Sequence, residues 1–155
     1  MFSQTTEYAL RAMACLALRP DTLVPTPVLA KQTKVPPNYL AKVLQQLAGA
    51  KLIVGRRGVG GGYKLAKPAG QVRLLEVINA VSRVERITSC PLGLANHGPN
   101  LCPLHRRADE AAAAVIKVYN GVTLQDLLTD PNPNKPLCDT QMAATLTVSA
   151  GNHKR

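Results

Sequence analysis

The chain has 155 residues, 46% of them hydrophobic and 18% charged, a size and composition that exclude both a large multidomain enzyme and wholesale disorder. Its 19 Lys and Arg residues against 9 Asp and Glu give a formal charge of +10, which indicates a polyanionic partner, either nucleic acid or an anionic membrane, ahead of an acidic protein. Residues 1–73 carry a net +9 (11 basic, 2 acidic) and residues 74–155 only +1 (8 basic, 7 acidic), so the anion-binding surface is expected in the first half.

No segment is predicted to cross a membrane or to direct export. The first apolar stretch contains Glu7 and Arg11, which is typical of an amphipathic helix and not of a signal peptide. The longest uncharged run, residues 87–104, holds too many Pro, Gly and Asn residues for a membrane span. We therefore expect a cytoplasmic protein without a membrane partner. In that compartment its four cysteines favour metal binding, redox chemistry or plain burial over a disulfide scaffold.

Three helices are predicted in the first fifty residues. Apolar residues at helical spacing indicate a helix from residue 5 or 6 to about residue 19. Thr26 followed by Pro27 predicts an N-cap and a second helix that runs to about residue 34. After a break at residues 36–38, Leu and Val at positions 40, 43, 44 and 47 predict the third helix.

A β-hairpin with a basic, glycine-rich tip is predicted next. Residues 51–55 and 62–66 are strand-like, and residues 56–61 between them read RRGVGG. Three helices followed by a hairpin is the order of a winged helix-turn-helix, in which one helix enters the DNA major groove and the hairpin touches the backbone or minor groove. A phosphate-binding loop is disfavoured, because such a loop leads into a helix and Tyr63 continues as strand.

Helices are also predicted over residues 74–81, 104–119 and 123–128. The second of these is alanine-rich on one side, which suits close helix packing, and Gly121 is expected to cap it. An irregular segment from about residue 88 to 103 precedes it.

Two groups of side chains are candidates for DNA contact. The polar face of the third helix can bind base edges or phosphates, and its alternative interpretation is an ordinary solvated face. The hairpin contributes the second group, and its alternative is a tight turn that is basic without a binding role. The candidates are Asn38, Tyr39, Lys42, Gln45 and Gln46 on the helix, and Arg56, Arg57, Gly58, Gly60, Gly61, Tyr63 and Lys64 on the hairpin.

Motifs along residues 1–130 resemble those of the Rrf2 (IscR/NsrR-type) family of bacterial winged helix-turn-helix transcription regulators. They are YL at 39–40, LQQL at 44–47, RG at 57–58, GGGYKL at 60–65, LLEVINAV at 74–81 and TLQDLL at 123–128. The resemblance implies a homodimer that binds palindromic double-stranded DNA operators. It also implies that Arg57 and neighbouring residues of the predicted hairpin, which is the wing of this fold, touch DNA. It also implies that the helix over residues 104–119 forms the dimer contact.

The resulting fold class is mainly α with a small β hairpin: a winged helix-turn-helix plus a long C-terminal dimerisation helix. The predicted division is a DNA-binding domain over residues 1–83, a sensor-type loop and dimerisation helix over residues 84–130, and a flexible tail over residues 131–155.

The resemblance also raises the question of a cofactor. Many relatives hold an iron-sulfur cluster through three cysteines, each separated from the next by five residues. Cys90 and Cys102 match the outer two positions, but Asn96 stands at the middle one. The candidate ligands for such a cluster, or for zinc, are Cys90, Cys102, His105, His97 and Glu7.

Other roles for these cysteines stay open at this point. Cys90 and Cys102 can oxidise to a disulfide as a redox switch, or they can pack as small apolar residues. Cys15 and Cys138 are expected to lie outside any site.

Three functions follow from these patterns. The first is a homodimeric, sequence-specific DNA-binding regulator, predicted to be a repressor. The second is a metal- or redox-sensing regulator that uses the same DNA module and the loop from Cys90 to His105. The third, a cysteine-dependent enzyme with His105 as base, lacks an identifiable oxyanion donor or third orienting group, so no enzyme is expected.

Overall fold

The computed structural model describes residues 3–95, 100–134 and 136. Within them it confirms the predicted fold class, since the chain is mostly helical with one two-stranded antiparallel hairpin. A short 3-10 turn over Ala69–Gln71, which the sequence patterns did not predict, precedes the fourth helix. In chain order the elements are α1 (Gln4–Ala17), α2 (Thr26–Thr33), α3 (Pro37–Gly49), β1 (Ile53–Arg56), β2 (Gly62–Leu65), α4 (Leu74–Val81), α5 (Pro103–Asn120) and α6 (Leu124–Thr129).

Helix α1 lies at the centre of the fold. Its first turn is capped by Ser3, whose hydroxyl accepts a hydrogen bond from the Thr6 backbone N–H at 3.3 Å. Its buried face, which includes Met13 and Leu16, packs against α2, α3, α4 and α6. Among the described residues, the hydrophobic core therefore surrounds this helix.

Helices α2 and α3 begin earlier than predicted. Thr26 is the first helical residue of α2 and not its N-cap; the N-cap is Pro25, which has extended backbone dihedrals and offers no side-chain cap. In the same way α3 begins at Pro37, so Asn38 lies inside the helix. Proline is favourable in a first helical turn because the N–H it lacks would have no intrahelical partner there.

The wing is anchored near its tip by a contact that the sequence did not indicate. Strands β1 and β2 pair from Ile53 with Leu65 to Arg56 with Gly62. Beside them the Val24 N–H donates to the Tyr63 carbonyl at 2.8 Å, and the Tyr63 N–H donates to the Val24 carbonyl at 2.9 Å. The loop between α1 and α2 is thus joined to the outer side of β2.

The chain returns to this core after α5. Leu124 of α6 is buried among the core side chains of the helix-turn-helix. Two backbone hydrogen bonds join the returning segment to the residues before α4: Leu74 N–H donates to Val122 at 3.0 Å, and Leu124 N–H donates to Val72 at 2.9 Å. The domain boundary at residue 83 stays a prediction. Helix α6 follows that boundary in sequence but packs against residues that precede it.

Gly121 ends α5 with right-handed dihedrals, so no left-handed cap is formed.

An ion pair ties the segment after α4 to α5. The Arg86 guanidinium donates two hydrogen bonds of 2.6 Å to the Asp109 carboxylate, and the Ile87 N–H donates a third at 2.9 Å. The hydrogen bonds from Arg86 are the main cause that lowers the pKa of Asp109 from 3.8 to about 2.

We predict that the stabilising contribution of Asp109 is lost in acid. Because its folded pKa is depressed, the contribution is complete above about pH 4 and disappears as the pH falls toward 2. Asp109→Asn should therefore lower the urea unfolding midpoint at pH 7 and have little effect near pH 2. Comparing the variant with wild type at each pH cancels the titration of other carboxylates. A destabilisation of equal size at both pH values would contradict the assignment.

Candidate nucleic-acid interface

The outward face of α3 carries most of the predicted base-reading residues. Leu40, Val43, Leu44 and Leu47 are buried on the inner face. The opposite face is exposed to solvent along the helix, and it presents Asn38, Tyr39, Lys42 and Gln45. These side chains bring amides, a phenol and an ammonium to one surface, which are the groups that bind base edges and phosphates.

Gln46 is placed differently from the other candidates on α3. It is half-buried, and its Oε1 atom is buried without a hydrogen-bond partner among the residues described. A buried amide oxygen needs a donor. Its role in base contact stays a prediction.

Tyr39 is oriented by α1. Its ring meets the Tyr8 ring edge-on, with centroids 6.2 Å apart and planes at 61°. The Arg11 guanidinium lies 6.0 Å from the Tyr8 centroid, and Arg11 also pairs with Glu7 at 3.0 Å. Sequence reasoning missed Tyr8 and Arg11 as neighbours of the recognition surface, since helical periodicity does not show which side chains meet across two helices.

The wing carries the remaining candidates, in two environments. Arg56, Arg57, Gly58 and Gly60 are exposed, whereas Gly61, Tyr63 and Lys64 are half-buried. Gly58 and Gly60 have φ values of +89° and +70°, a region that disfavours other residues, so the tight tip requires glycine there.

The Tyr63 ring packs over Gly55 on the facing strand, where a Cβ atom would lie only 2.8 Å from Tyr63 Cε1. Tyr63 therefore has a packing role in the hairpin, whether or not its hydroxyl contacts DNA.

An open cleft of about 560 Å³ separates the wing from the start of α2. Among its lining residues are Thr26, Pro27, Arg56, Arg57 and Tyr63. The first turn of α2 holds no acidic residue. Guanidinium and hydroxyl groups in such a cleft are donors suited to phosphate oxygens.

The candidate metal ligands do not form a metal site within the described residues. Cys90 is buried, and Cys102 is the N-cap residue of α5, with its Sγ 3.3 Å from His105 Nδ1. Glu7 is exposed on α1, where it pairs with Arg11. Asn96 and His97 lie outside the described residues, and within the described ranges no three His, Cys, Asp or Glu side chains come together to hold a metal. What the described loop contains is one thiol-imidazole contact.

Cys15 is the third cysteine among the described residues, and its place outside any site stays a prediction. It is buried on α1, its thiol donates to Gln32 Oε1 at 3.1 Å, and burial raises its pKa. Cys138 lies outside the described residues. Over the described part of the chain, no helix combines the length and the apolar character needed to span a bilayer.

The helix-turn-helix, with a polar outer face on α3 and a basic wing beside it, defines a winged helix DNA-binding protein. The chain belongs to the Rrf2 family, described as iron-dependent transcriptional regulators, whose sequence profile matches residues 2–130. This match confirms the resemblance drawn from the motifs.

Similar proteins support the same conclusion. An HTH-type transcriptional regulator of Aquifex aeolicus is 30% identical over 131 residues, which cover 83% of this chain and 91% of that protein. The HTH-type transcriptional regulator NsrR of Oceanobacillus iheyensis is 32% identical over 127 residues, with 79% and 86% covered. The structure of CymR, the global cysteine regulator of B. subtilis, superposes with a TM-score of 0.69 at 21% identity, covers 85% of this chain and 98% of its own, and shows the shared fold.

Proposed function

We propose that the chain is a homodimeric, sequence-specific regulator that binds double-stranded DNA and represses transcription in the bacterial cytoplasm. The observation that carries this proposal is the exposed polar stripe of α3 beside a wing with two exposed arginines. In this arrangement α3 enters the major groove, and the wing contacts the flanking backbone or minor groove.

The α3 residues divide by chemistry. Asn38 and Gln45 each carry an amide, which can pair with adenine edges through two hydrogen bonds. Lys42 has a cationic head that suits phosphate. Specificity is therefore assigned to the amides, and a sequence-independent share of the affinity to the lysine and the wing.

Replacing Arg57 tests the wing. A duplex selected by wild-type protein from a randomised library serves as the probe. Arg57→Ala should weaken binding about tenfold and lower the slope of log K against log salt by about 1, since one phosphate contact is lost. Fluorescence anisotropy across a salt series measures both quantities.

Lys117→Ala is the matched control for this experiment, because Lys117 is an exposed basic residue on α5 and not part of the hairpin. It should bind like wild type. Unchanged affinity of the Arg57 variant would show that the wing does not contact DNA as proposed.

The dimer contact is assigned to the outer face of α5. This helix has no fully buried residue, and an apolar stripe at helical spacing runs along it: Leu104, Ala108, Ala111, Val115 and Val118. Leu104 is 72% exposed and Val118 is 60% exposed. By contrast Tyr119, near the end of the same helix, packs against the core of the fold. An apolar stripe of this kind on a long helix is suited to burial against a second copy.

Val118→Glu should raise the dimer dissociation constant by at least about tenfold, because it places a charge in an apolar helix contact. Sedimentation velocity measures the monomer fraction. Lys117→Glu, on a different side of the same helix, should remain dimeric, and a monomeric wild-type protein would refute the dimer assignment.

The proposed repression is tested by in vitro transcription. The dimer should reduce the amount of transcript from a promoter that overlaps the selected site, and an increased amount of transcript would indicate an activator.

Iron sensing is a second candidate function, favoured by the family description and by the contact between Cys102 and His105. It predicts that protein purified without oxygen contains iron and that Cys102→Ala lowers the iron content. Metal analysis and an ultraviolet-visible spectrum measure this. Wild-type protein without iron or sulfide, together with DNA binding that is insensitive to Cys102→Ala, would remove this candidate.

A further inference from the structure

The two wing arginines, which the sequence treats alike, have different surroundings. Arg56 Nη2 donates a hydrogen bond of 3.1 Å to the carbonyl of Gly60 across the hairpin tip. Arg57 makes no hydrogen bond or ion pair with any residue that the structure describes. One guanidinium is thus engaged within the protein, and the other is free to contact a ligand.

The tip itself is a tight turn closed by two contacts. Gly61 N–H donates to the Gly58 carbonyl at 3.0 Å, and the Arg56 guanidinium lies against Gly60, where a Cβ atom would come within 3.4 Å of Nη2. A Cβ at Gly61 would lie 2.3 Å from the Arg56 carbonyl, so the chain has little room to shift there. Without the arginine contact, a segment of consecutive glycines would have high conformational freedom.

This turn presents one apolar side chain. Val59 stands between Gly58 and Gly60 and is fully exposed. Its side chain is β-branched and stiff, so little conformational entropy is lost when it is placed against a surface. Proteins that bind the minor groove frequently place apolar side chains against or between the base steps.

We propose that Arg56 is a positioning residue that braces the wing tip through the Gly60 carbonyl, so that Val59 is held as an apolar contact to the minor groove of bound DNA. Arg57 then supplies the charge of the wing. This inference rests on the proposed DNA-binding function and adds Val59 as a binding residue. It also changes the role of Arg56 from a phosphate contact to a brace.

The brace is tested first without DNA. Amide hydrogen exchange, measured by nuclear magnetic resonance on the full chain, should show that Arg56→Ala speeds exchange at Gly61 by about threefold to tenfold, the effect of losing one hydrogen bond. Arg57→Ala should leave that rate unchanged. Equal rates in wild type and Arg56→Ala would overturn the brace, whatever the outcome of any DNA experiment.

The salt dependence of DNA binding then separates bracing from phosphate contact. With the duplex selected by wild-type protein, Arg56→Ala should weaken binding about threefold to tenfold and keep the wild-type salt slope. A slope lowered by about 1 would assign Arg56 to a phosphate and overturn the proposal. If wild-type protein selects no duplex, the proposed function fails, and the exchange experiment still decides the brace.

The apolar contact is tested with a nearly isosteric change. Val59→Thr should weaken binding to the same duplex by about threefold, since a methyl group that becomes buried against DNA in the complex is replaced by a hydroxyl. The salt slope should not change. Val54→Thr is the matched control, because Val54 is an exposed valine on β1 of the same hairpin. This control variant should bind the duplex with wild-type affinity. Equal affinities for Val59→Thr and wild type would overturn the role of Val59.

Discussion

The packing of the apolar face of α3 against α1 is the constraint on which the functional surface depends. Leu40, Val43, Leu44 and Leu47 are almost completely buried, and each buried side chain of this size contributes about 1.5–3 kcal/mol. Turning α3 about its axis would expose some of these residues and bury polar ones. The hydrophobic core therefore fixes which side chains of α3 face the solvent, and Asn38, Lys42 and Gln45 are presented as a consequence of folding.

The periodic elements of this fold could be predicted because their signals are local. The apolar spacing of α3 and of α4 is visible in a short window, and the glycine-rich segment between two strand-like runs predicts a hairpin. Prediction failed where the deciding contact is distant in sequence. The pairing of Val24 with Tyr63 and the packing of Leu124 in the N-terminal core join segments that no local pattern connects.

The same division holds within the candidate site. Helical spacing was enough to select the exposed amides of α3, but it could not show that Gln46 is half-buried at the edge of that face. The basic composition of the wing gave Arg56 and Arg57 the same role. Only the folded structure shows that the Arg56 guanidinium donates a hydrogen bond to the Gly60 carbonyl. For the cysteine loop, the resemblance to the family suggested a ligand set, whereas metal binding depends on where side chains meet in space.

A short series of polar contacts joins the base of the wing to the end of α5. Lys67, just after β2, pairs with Glu76 of α4 at 2.7 Å, and the Arg73 N–H donates to the same carboxylate at 2.8 Å. Burial alone would raise the pKa of Glu76, but the hydrogen bonds from Lys67 and Arg73 lower it on balance. The Arg73 side chain in turn donates to the carbonyl of Asn120, at the end of α5. The wing base is thus held relative to α5, and in the proposed dimer this connection would let α5 set the spacing of the two wings. The wing tip lies beyond these contacts, and the contacts beside it are the Val24–Tyr63 pairing and the hydrogen bond from Arg56 to the Gly60 carbonyl.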